Sequence, residues 1–355
     1  MKKNIFLWVA VFAVGAMSSC SVDKVVDQAE ARYIGFDPFA NKVTRRLNNV
    51  QFGHNNFDVW GKYDAVEVFK GKTVNWQSGS PSGSWTYQPL APWVNGKTYE
   101  FAAIAPTQPE GVTYAYSYSN NLTTGSDPLN GTYSITGIEI TQSNQTDYLT
   151  ATPVKVVCNT ASTSPVSFVF NHILSKIDFN FQPKIAEDDA WTSDVKIEIK
   201  KITLSGVNTK NLYNNSIWGT SSTPGSFVKE GVSGGVYGTT TYESPTVTPL
   251  KDQFSWLVVP QNNTDAGSRK LTIKFDVYTK DAEDNYNVKV LTDTEASVAV
   301  TEEWSANTHY TYTVYIGTDV LGTDPYITFD VAEVEGWDTG TTSGLDVSTS
   351  TQQGN

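Results

Sequence analysis

The residue best placed for covalent chemistry is Cys20, because it follows an export sequence. Two lysines precede an apolar run over residues 5–17, and Ser18-Ser19 leads directly into the cysteine. The run is too short to form a stable membrane span. This pattern predicts a lipoprotein signal peptide over 1–19 and acylation of the Cys20 thiol, which would anchor the chain to a membrane. A plain secretory signal followed by an incidental cysteine is the alternative.

The second cysteine, Cys158, has no partner once Cys20 is acylated, so no intramolecular disulfide is expected. In an alternating strand its thiol would share a face with Val154 and Val156. We therefore predict a buried and unreactive cysteine, since nothing in the local sequence suggests the environment of a nucleophile.

A dibasic pair, Arg45-Arg46 followed by Leu47, is the strongest candidate for proteolytic processing. The chain has four arginines, and the other two are Arg32 and Arg269. Residues 1–46 carry seven basic and four acidic groups, a net +3, so the remainder carries −12 − 3 = −15. An arginine-specific protease would find this pair readily. A chance pair of arginines on a surface loop is the alternative.

The segment just ahead of the dibasic pair alternates like a strand, with Ile34 and Phe36 on one face and Tyr33 on the other. If it forms a strand of the first sandwich, cleavage after Arg46 would free it. The vacated place would be an apolar groove beside an unpaired sheet edge, which accepts a strand from another molecule.

Residues for enzymatic or metal chemistry are sparse. Of the three histidines, His172 lies next to a strand and is predicted to be structural, and His309 is expected to face solvent or a polar interface. No phosphate-binding loop or nucleophile elbow is present. The acidic clusters over 187–189 and 281–285 lack complete Ca²⁺-loop spacing. We predict no catalytic residues, metal or cofactor, and the acidic balance argues against nucleic acid.

Strands with a period of two dominate the chain from residue 55 onward. The aromatic content of 12% can supply a large core, and only residues 183–191 suggest a short helix. The apolar parity changes at Lys200-Lys201, which predicts a β-bulge that keeps both halves of one strand facing the core. These patterns predict an all-β fold with few short helices.

The predicted organisation is two tandem antiparallel Greek-key β-sandwich domains. A small polar stretch over 159–165 suggests the boundary between them. The expected segments are a signal peptide (1–19), a pro-segment with an N-terminal strand (20–46), an N-terminal sandwich (47–160), a C-terminal sandwich (161–338) and a polar flexible tail (339–355).

Several motifs in a fixed order resemble the fimbrillins, the type V pilus subunits of Bacteroidetes. They include the Ser19-Cys20 signal, Tyr33-Ile34-Gly35-Phe36 ahead of the dibasic pair, and Gly96-Lys97-Thr98-Tyr99-Glu100-Phe101. The stretch Val169–Ile177 is similar to the start of the family's second domain, and Tyr310–Val314 with Val334–Trp337 is similar to its closing strands.

This resemblance implies a structural and adhesive subunit of cell-surface fimbriae that is exported as an outer-membrane lipoprotein. It implies removal of the N-terminal strand after Arg46 and assembly with other subunits, as a homo- or heteropolymer, by donor-strand exchange. The donor would lie within Tyr326–Trp337, with Ile327, Phe329 and Val331 as anchors, or in the tail beyond. The tail offers only Leu345 and Val347 as apolar anchors, so a stalk, tip or accessory role stays open.

A surface glycan-binding lipoprotein that does not polymerise is the alternative function. It would use exposed tryptophans to stack on sugar rings, and the candidates are Trp76, Trp85, Trp93 and Trp218. Most of these aromatics alternate with polar residues, as core positions do. A host protein or glycan receptor is compatible with either function.

Overall fold

The computed structural model describes residues 32–40, 55–78, 83–120, 122, 129–159, 164–184, 194–219, 224–230, 236–239, 246–248, 254–261, 269–318, 325–329 and 333–336. Within these residues the chain forms strands β1 to β23, numbered in chain order, and no helix. Accordingly, these ranges contain no helix long and apolar enough to cross a membrane. The predicted all-β fold class is confirmed. The sequence predicts a short helix over 183–191. Pro183 is instead the last residue of a strand, and residues 185–191 lie outside the described residues.

The first sheet has eight strands: β1 (Phe36–Ala40), β2 (Phe57–Tyr63), β3 (Val66–Gln77), β4 (Ser84–Thr86), β5 (Thr98–Ala105), β8 (Leu149–Ala151), β9 (Val154–Val157) and β10 (Val166–His172). Their order is β1-β10-β8-β5-β2-β3-β4, and β9 pairs with β5. All of these pairs are antiparallel except the edge pair, in which β1 runs parallel to β10.

A second sheet contains β11 (Ser175–Pro183), β18 (Ser255–Val258), β21 (Thr308–Thr318), β22 (Pro325–Phe329) and β23 (Glu333–Gly336). Its order is β18-β11-β21-β22, and β23 also pairs with β21. The central pair, β11 with β21, is parallel, whereas the other pairs are antiparallel. The two parallel pairs depart from the predicted uniformly antiparallel pattern, because alternation within a strand does not encode the direction of its neighbour.

The third sheet contains β12 (Val195–Asn208), β15 (Pro224–Glu230), β16 (Val236–Thr239), β17 (Thr246–Thr248), β19 (Lys270–Thr279) and β20 (Val288–Ala299). The fourth contains β6 (Thr113–Ser117), β7 (Thr132–Thr136), β13 (Tyr213–Asn214) and β14 (Ile217–Trp218). Their orders are β17-β16-β12-β19-β20, with β15 on β12, and β14-β13-β7-β6.

Two hydrophobic clusters form the core. The first core gathers buried side chains between Ile34 and Phe170, and the second core extends to Ile316. Strand β5 is buried along its whole length because it separates them: Phe101 and Ala103 face the first core, and Ala102 and Ile104 face the second.

The strands on either side of the predicted domain boundary at residue 160 are distributed over several sheets. Strand β10 lies in the first sheet and β11 in the second, so the sheets change between His172 and Ser175. The fourth sheet joins strands from both sides of residue 160. The division at 160/161 stays a prediction.

The β-bulge predicted in β12 is confirmed. Ile199 lies opposite Phe275 and Lys201 lies opposite Lys274, so Lys200 is the extra residue. The apolar residues on both sides of the bulge are buried, as a bulge at this position requires: Ile197, Ile199, Ile202 and Leu204.

The bulge residue Lys200 takes part in a charged cluster around Asp276, whose side chain is 1% exposed. The Asp276 carboxylate lies 2.8 Å from Lys200 Nζ and 2.7 Å from Lys289 Nζ, and it accepts a 2.7 Å hydrogen bond from the Asp293 N–H. Burial alone would raise the pKa of Asp276, but these donors outweigh it and lower the pKa well below its usual range.

We expect Asp276→Asn to lower the free energy of unfolding by about 1–3 kcal/mol at neutral pH, because it weakens buried charge-assisted hydrogen bonds. A folded-state pKa below the unfolded value of about 3.9 gives stability that is present above that value and is lost as the pH falls further. Urea unfolding of the variant should therefore depend less on pH than wild type below about pH 5.

Asp284→Asn is the matched control. Asp284 also pairs with a lysine, at 2.9 Å from Lys280 Nζ, but its side chain is 81% exposed. Its substitution should change stability by less than about 1 kcal/mol. Equal losses of unfolding free energy in Asp276→Asn and Asp284→Asn would contradict a stabilising role for the buried Asp276 cluster.

Candidate functional site

The segment ahead of the dibasic pair lies at the edge of the first sheet, where it bonds to two stretches of backbone. On one side the Ile34 N–H donates to the Ala91 carbonyl at 3.0 Å, and the Trp93 N–H donates to the Arg32 carbonyl at 2.8 Å. On the other side the Val166 N–H donates to the Gly35 carbonyl at 2.8 Å. Residues 32–40, called here the resident strand, therefore fill a slot between residues 91–93 and β10.

Alternation along the resident strand matches the sequence prediction. Ile34 is 1% exposed and Phe36 is 5% exposed, whereas Tyr33 is 48% exposed and forms a bridge with Pro92. Pro38 is also buried, two residues further along the same face. Register with β10 then runs from Phe36 opposite Val166 to Ala40 opposite Phe170.

Phe36 is the central contact of the resident strand, since its ring lies among five other aromatic rings of the first core. The ring centroids are 5.5–6.2 Å from that of Phe36, and the Phe168 ring is stacked on it. The five partners are Phe57, Phe69, Tyr87, Phe101 and Phe168. Such ring pairs add roughly 0.5–1.5 kcal/mol each to the burial term.

Tyr87 is a slot residue that the sequence analysis did not identify. Its Oη donates to the Ile34 carbonyl at 2.8 Å and accepts from the Ala91 N–H at 3.2 Å. Burial raises the pKa of the Tyr87 hydroxyl, so the group stays a donor at neutral pH. Its alternation with Trp85 across Thr86 indicated burial, but no local signal indicated the hydrogen bond.

A cavity of about 170 Å³ lies beside the slot, between β9 and the start of β10. Its walls include Trp93, Pro165 and Val166, which also contact or neighbour the resident strand. Cys158 lines the same cavity as Val154 and Val156 and is 3% exposed, in agreement with the predicted buried thiol.

Of the remaining predicted site residues, the structure describes only Ile327 and Phe329. Cys20, Arg45, Arg46, Leu47 and Val331 fall outside the described residues. Ile327 and Phe329 lie in β22, where they stand opposite Ile316 and Val314 of β21. The candidate donor is thus already a strand of the second sheet.

A family model described as fimbrillin-like matches residues 44–337, which is more than half of the sequence. The chain belongs to the fimbrillin-like family. The match begins at Thr44, so the resident strand precedes the matched range. No curated protein matches the chain.

The chain is also similar to solved structures of proteins from Bacteroides and Parabacteroides. A proposed cell adhesion protein of Bacteroides ovatus has 16% identity and a TM-score of 0.46, covering 86% of this chain and 98% of that chain. One from Parabacteroides distasonis has 10% identity and a TM-score of 0.44, covering 88% and 98%. A fimbrial protein of Bacteroides ovatus has 13% identity and a TM-score of 0.34, covering 80% and 48%.

Each described histidine of this fimbrillin-like chain lies within hydrogen-bond distance of an aspartate. His172 Nδ1 lies 2.8 Å from Asp147 Oδ2, and His309 Nε2 lies 2.7 Å from Asp178 Oδ2. Burial would raise the pKa of Asp178, but hydrogen bonds from His309 and Ser255 lower it below its usual range. His54 falls outside the described residues. Within the described ranges, no three His, Cys, Asp or Glu side chains gather as metal ligands would.

The tryptophans proposed as sugar platforms pack against the cores. Trp85 is 8% exposed, and its ring centroid lies 5.0 Å from that of Trp76. Trp93 lies 4.9 Å from Tyr99, and the Trp218 Nε1–H donates to the Ile173 carbonyl at 2.6 Å. Trp76, Trp93 and Trp218 are half-buried.

We expect Phe36→Ala to lower the free energy of unfolding of the unprocessed chain by about 3–5 kcal/mol, because it removes a buried ring and leaves a cavity. Tyr33→Ala, at an exposed position of the same strand, should change it by less than about 0.5 kcal/mol. Chemical denaturation of both variants measures the difference. A near-neutral Phe36→Ala would show that the resident strand contributes little to the fold.

Proposed function

We propose that this fimbrillin-like chain is a subunit of cell-surface fimbriae, activated by cleavage after Arg46 and assembled by donor-strand exchange. The observation that carries the proposal is the position of Ile34 and Phe36, which are buried in the first core from a strand at the sheet edge. Only a short connection separates that strand from the dibasic pair. A single cleavage there would cut the covalent link between the slot and its occupant.

The slot suits strand exchange because its two sides are both backbone edges. Departure of residues 32–40 would remove the partners of Ala91, Trp93 and β10 and would expose the aromatic rings around Phe36. Unpaired edges bind extended chains through main-chain hydrogen bonds, and pockets for alternate side chains set the register. Burial of each large apolar anchor contributes roughly 1.5–3 kcal/mol.

In this proposal the partners are other fimbrial subunits, in a homo- or heteropolymer, and the site is the cell surface. Cys20 acylation attaches the precursor to the outer membrane during export. Membership of the fimbrillin-like family supports the fimbrial role. A head-to-tail contact between identical slots and donors does not close on itself, so it produces a filament.

Charge-conserving substitution of the dibasic pair tests the processing step. The purified chain from Ser21 onward, incubated with an arginine-specific protease, should yield a body that begins at Leu47 or Arg46 and forms SDS-resistant ladders. Arg45→Lys/Arg46→Lys should keep its N-terminal strand and stay monomeric, because the protease does not cut after lysine. N-terminal sequencing and gel electrophoresis are the measurements.

Arg32→Lys is the matched control, since it changes an arginine outside the dibasic pair and should form ladders like wild type. Arg269 is 1% exposed and should resist cleavage while the chain is folded. A wild-type body that starts at Leu47 and remains monomeric would refute donor-strand assembly. Ladders from the lysine variant would refute the processing site.

Lipidation is tested separately at Cys20. Cells that express the wild-type chain and are fed labelled palmitate should incorporate label into the membrane-bound precursor. Cys20→Ser should lose both the label and membrane retention, because the thiol that carries the acyl chain is gone. Cys158→Ser, which alters the buried cysteine, should keep both. Equal labelling of the Cys20→Ser chain would restore the plain secretory signal.

A further inference from the structure

The cavity of about 170 Å³ between β9 and the start of β10, called here the β9–β10 cavity, lies where the first sheet splits. Strand β10 pairs with β8, and the Thr152 N–H donates to the Val169 carbonyl at 2.8 Å. After Pro153 the chain enters β9, which pairs with β5 instead, and no ladder joins β9 to β10 among the described strands. Side chains rather than backbone hydrogen bonds therefore line the space between these two strands.

The walls of the β9–β10 cavity are mostly apolar. Valines of β9 form one side with Trp93, and Ser164 and Ser167 add hydroxyl groups. None of the described residues that line it is charged. Cys158 and Val166 are buried, whereas the two serines are exposed, so the cavity is closed at one end and open to solvent at the other. Because a charge loses its hydration in such surroundings, the cavity favours an uncharged ligand.

The volume of the β9–β10 cavity sets the size of that ligand. An apolar cavity of about 150 Å³ binds benzene. At about 170 Å³, this cavity can hold one six-membered ring with a small substituent. It is too small for a disaccharide or for a long acyl chain.

Trp93 gives the β9–β10 cavity a hydrogen-bond donor without a partner. Its indole Nε1 is buried, and no group among the described residues accepts a hydrogen bond from it. The rings of Tyr99 and Phe101 hold the indole edge to face, with centroids 4.9 Å and 5.8 Å from that of Trp93. A buried N–H without an acceptor is unfavourable, so an acceptor in the adjoining cavity would stabilise this arrangement.

We propose that the β9–β10 cavity binds a small uncharged aromatic molecule that carries one hydrogen-bond-accepting oxygen, the class to which phenol belongs. The ring packs against the valines of β9 and Pro165, and the oxygen accepts from Trp93 Nε1–H. This site does not depend on the strand exchange proposed above.

Titration of the unprocessed chain from Ser21 with phenol tests the hydrogen bond. In the spectrum of the isotope-labelled chain, Trp93→Phe identifies the indole N–H resonance of Trp93. Phenol should move this resonance downfield and saturably, because the N–H gains an acceptor. Toluene has the same shape without the oxygen, and it should not move the resonance downfield. A Trp93 resonance that stays in place at millimolar phenol would overturn the proposal.

Cys158 gives a second readout, because it is the single cysteine of a chain that begins at Ser21 and is 3% exposed. Bound phenol should slow the reaction of this thiol with a disulfide reagent, by about tenfold when phenol is at ten times its Kd. In concentrated urea the rate should not depend on phenol, which excludes an effect on the reagent itself. An unchanged rate in the folded chain, at the phenol concentration that saturates the Trp93 shift, would place the ligand elsewhere and overturn the site.

A cavity-filling substitution tests the location independently. Val156→Phe should weaken phenol binding by more than about tenfold, because the added ring occupies the space of the ligand. Val290→Phe is the matched control, since Val290 is 46% exposed in β20 and does not line the cavity. Equal phenol affinities of the two variants would contradict the location. The readouts from Trp93 and Cys158 in the wild-type chain decide the question if Val156→Phe does not fold.

The preference for an oxygen is measured by comparing phenol with toluene in the wild type and in Trp93→Phe. With affinities taken from the Cys158 rates, the ratio of the toluene Kd to the phenol Kd should fall about twofold to tenfold in the variant. The physical reason is that only phenol loses a hydrogen bond. An unchanged ratio would overturn the assigned ligand class.

Discussion

The packing of Phe36 among five aromatic side chains is the contact that holds the resident strand in the first core. While the strand is covalently attached, its effective concentration at the slot is very high, and the first core is complete. A cut in the following connection leaves every contact in place but makes the strand a separate ligand. The time that the cut strand stays in the slot would then depend on burial of Ile34 and Phe36 and on its main-chain hydrogen bonds. A competing strand with similar side chains can make the same interactions.

Much of this arrangement follows from alternation in the sequence. The spacing of Ile34 and Phe36 indicates which side chains enter the core, because successive residues of a strand face opposite sides. The parity change at Lys200 indicates the bulge in β12 for the same reason, and the register of β12 against β19 confirms it. Both are local patterns, and local patterns specify which face of a strand is buried.

Sequence patterns do not specify which strands become neighbours or in which direction they run. The parallel pairing of β1 with β10 joins segments about 130 residues apart, and nothing in either segment encodes that direction. Strand β5 is buried on both faces because a hydrophobic core lies on each side of it, and the alternation of its own sequence does not predict the second core. Tyr87 likewise reaches Ile34 only because the fold brings residues 87–91 beside the resident strand.

In the assembly proposed above, the slot of each copy lies in the first sheet and its candidate donor strand lies in the second sheet, so contacts between copies would be head-to-tail. Every copy would then point along the fibre in one sense. Such a fibre would have two unlike extremities, one with a vacant slot and one with an unused donor. Growth, termination and attachment to the cell would then call for different capping molecules at the two extremities.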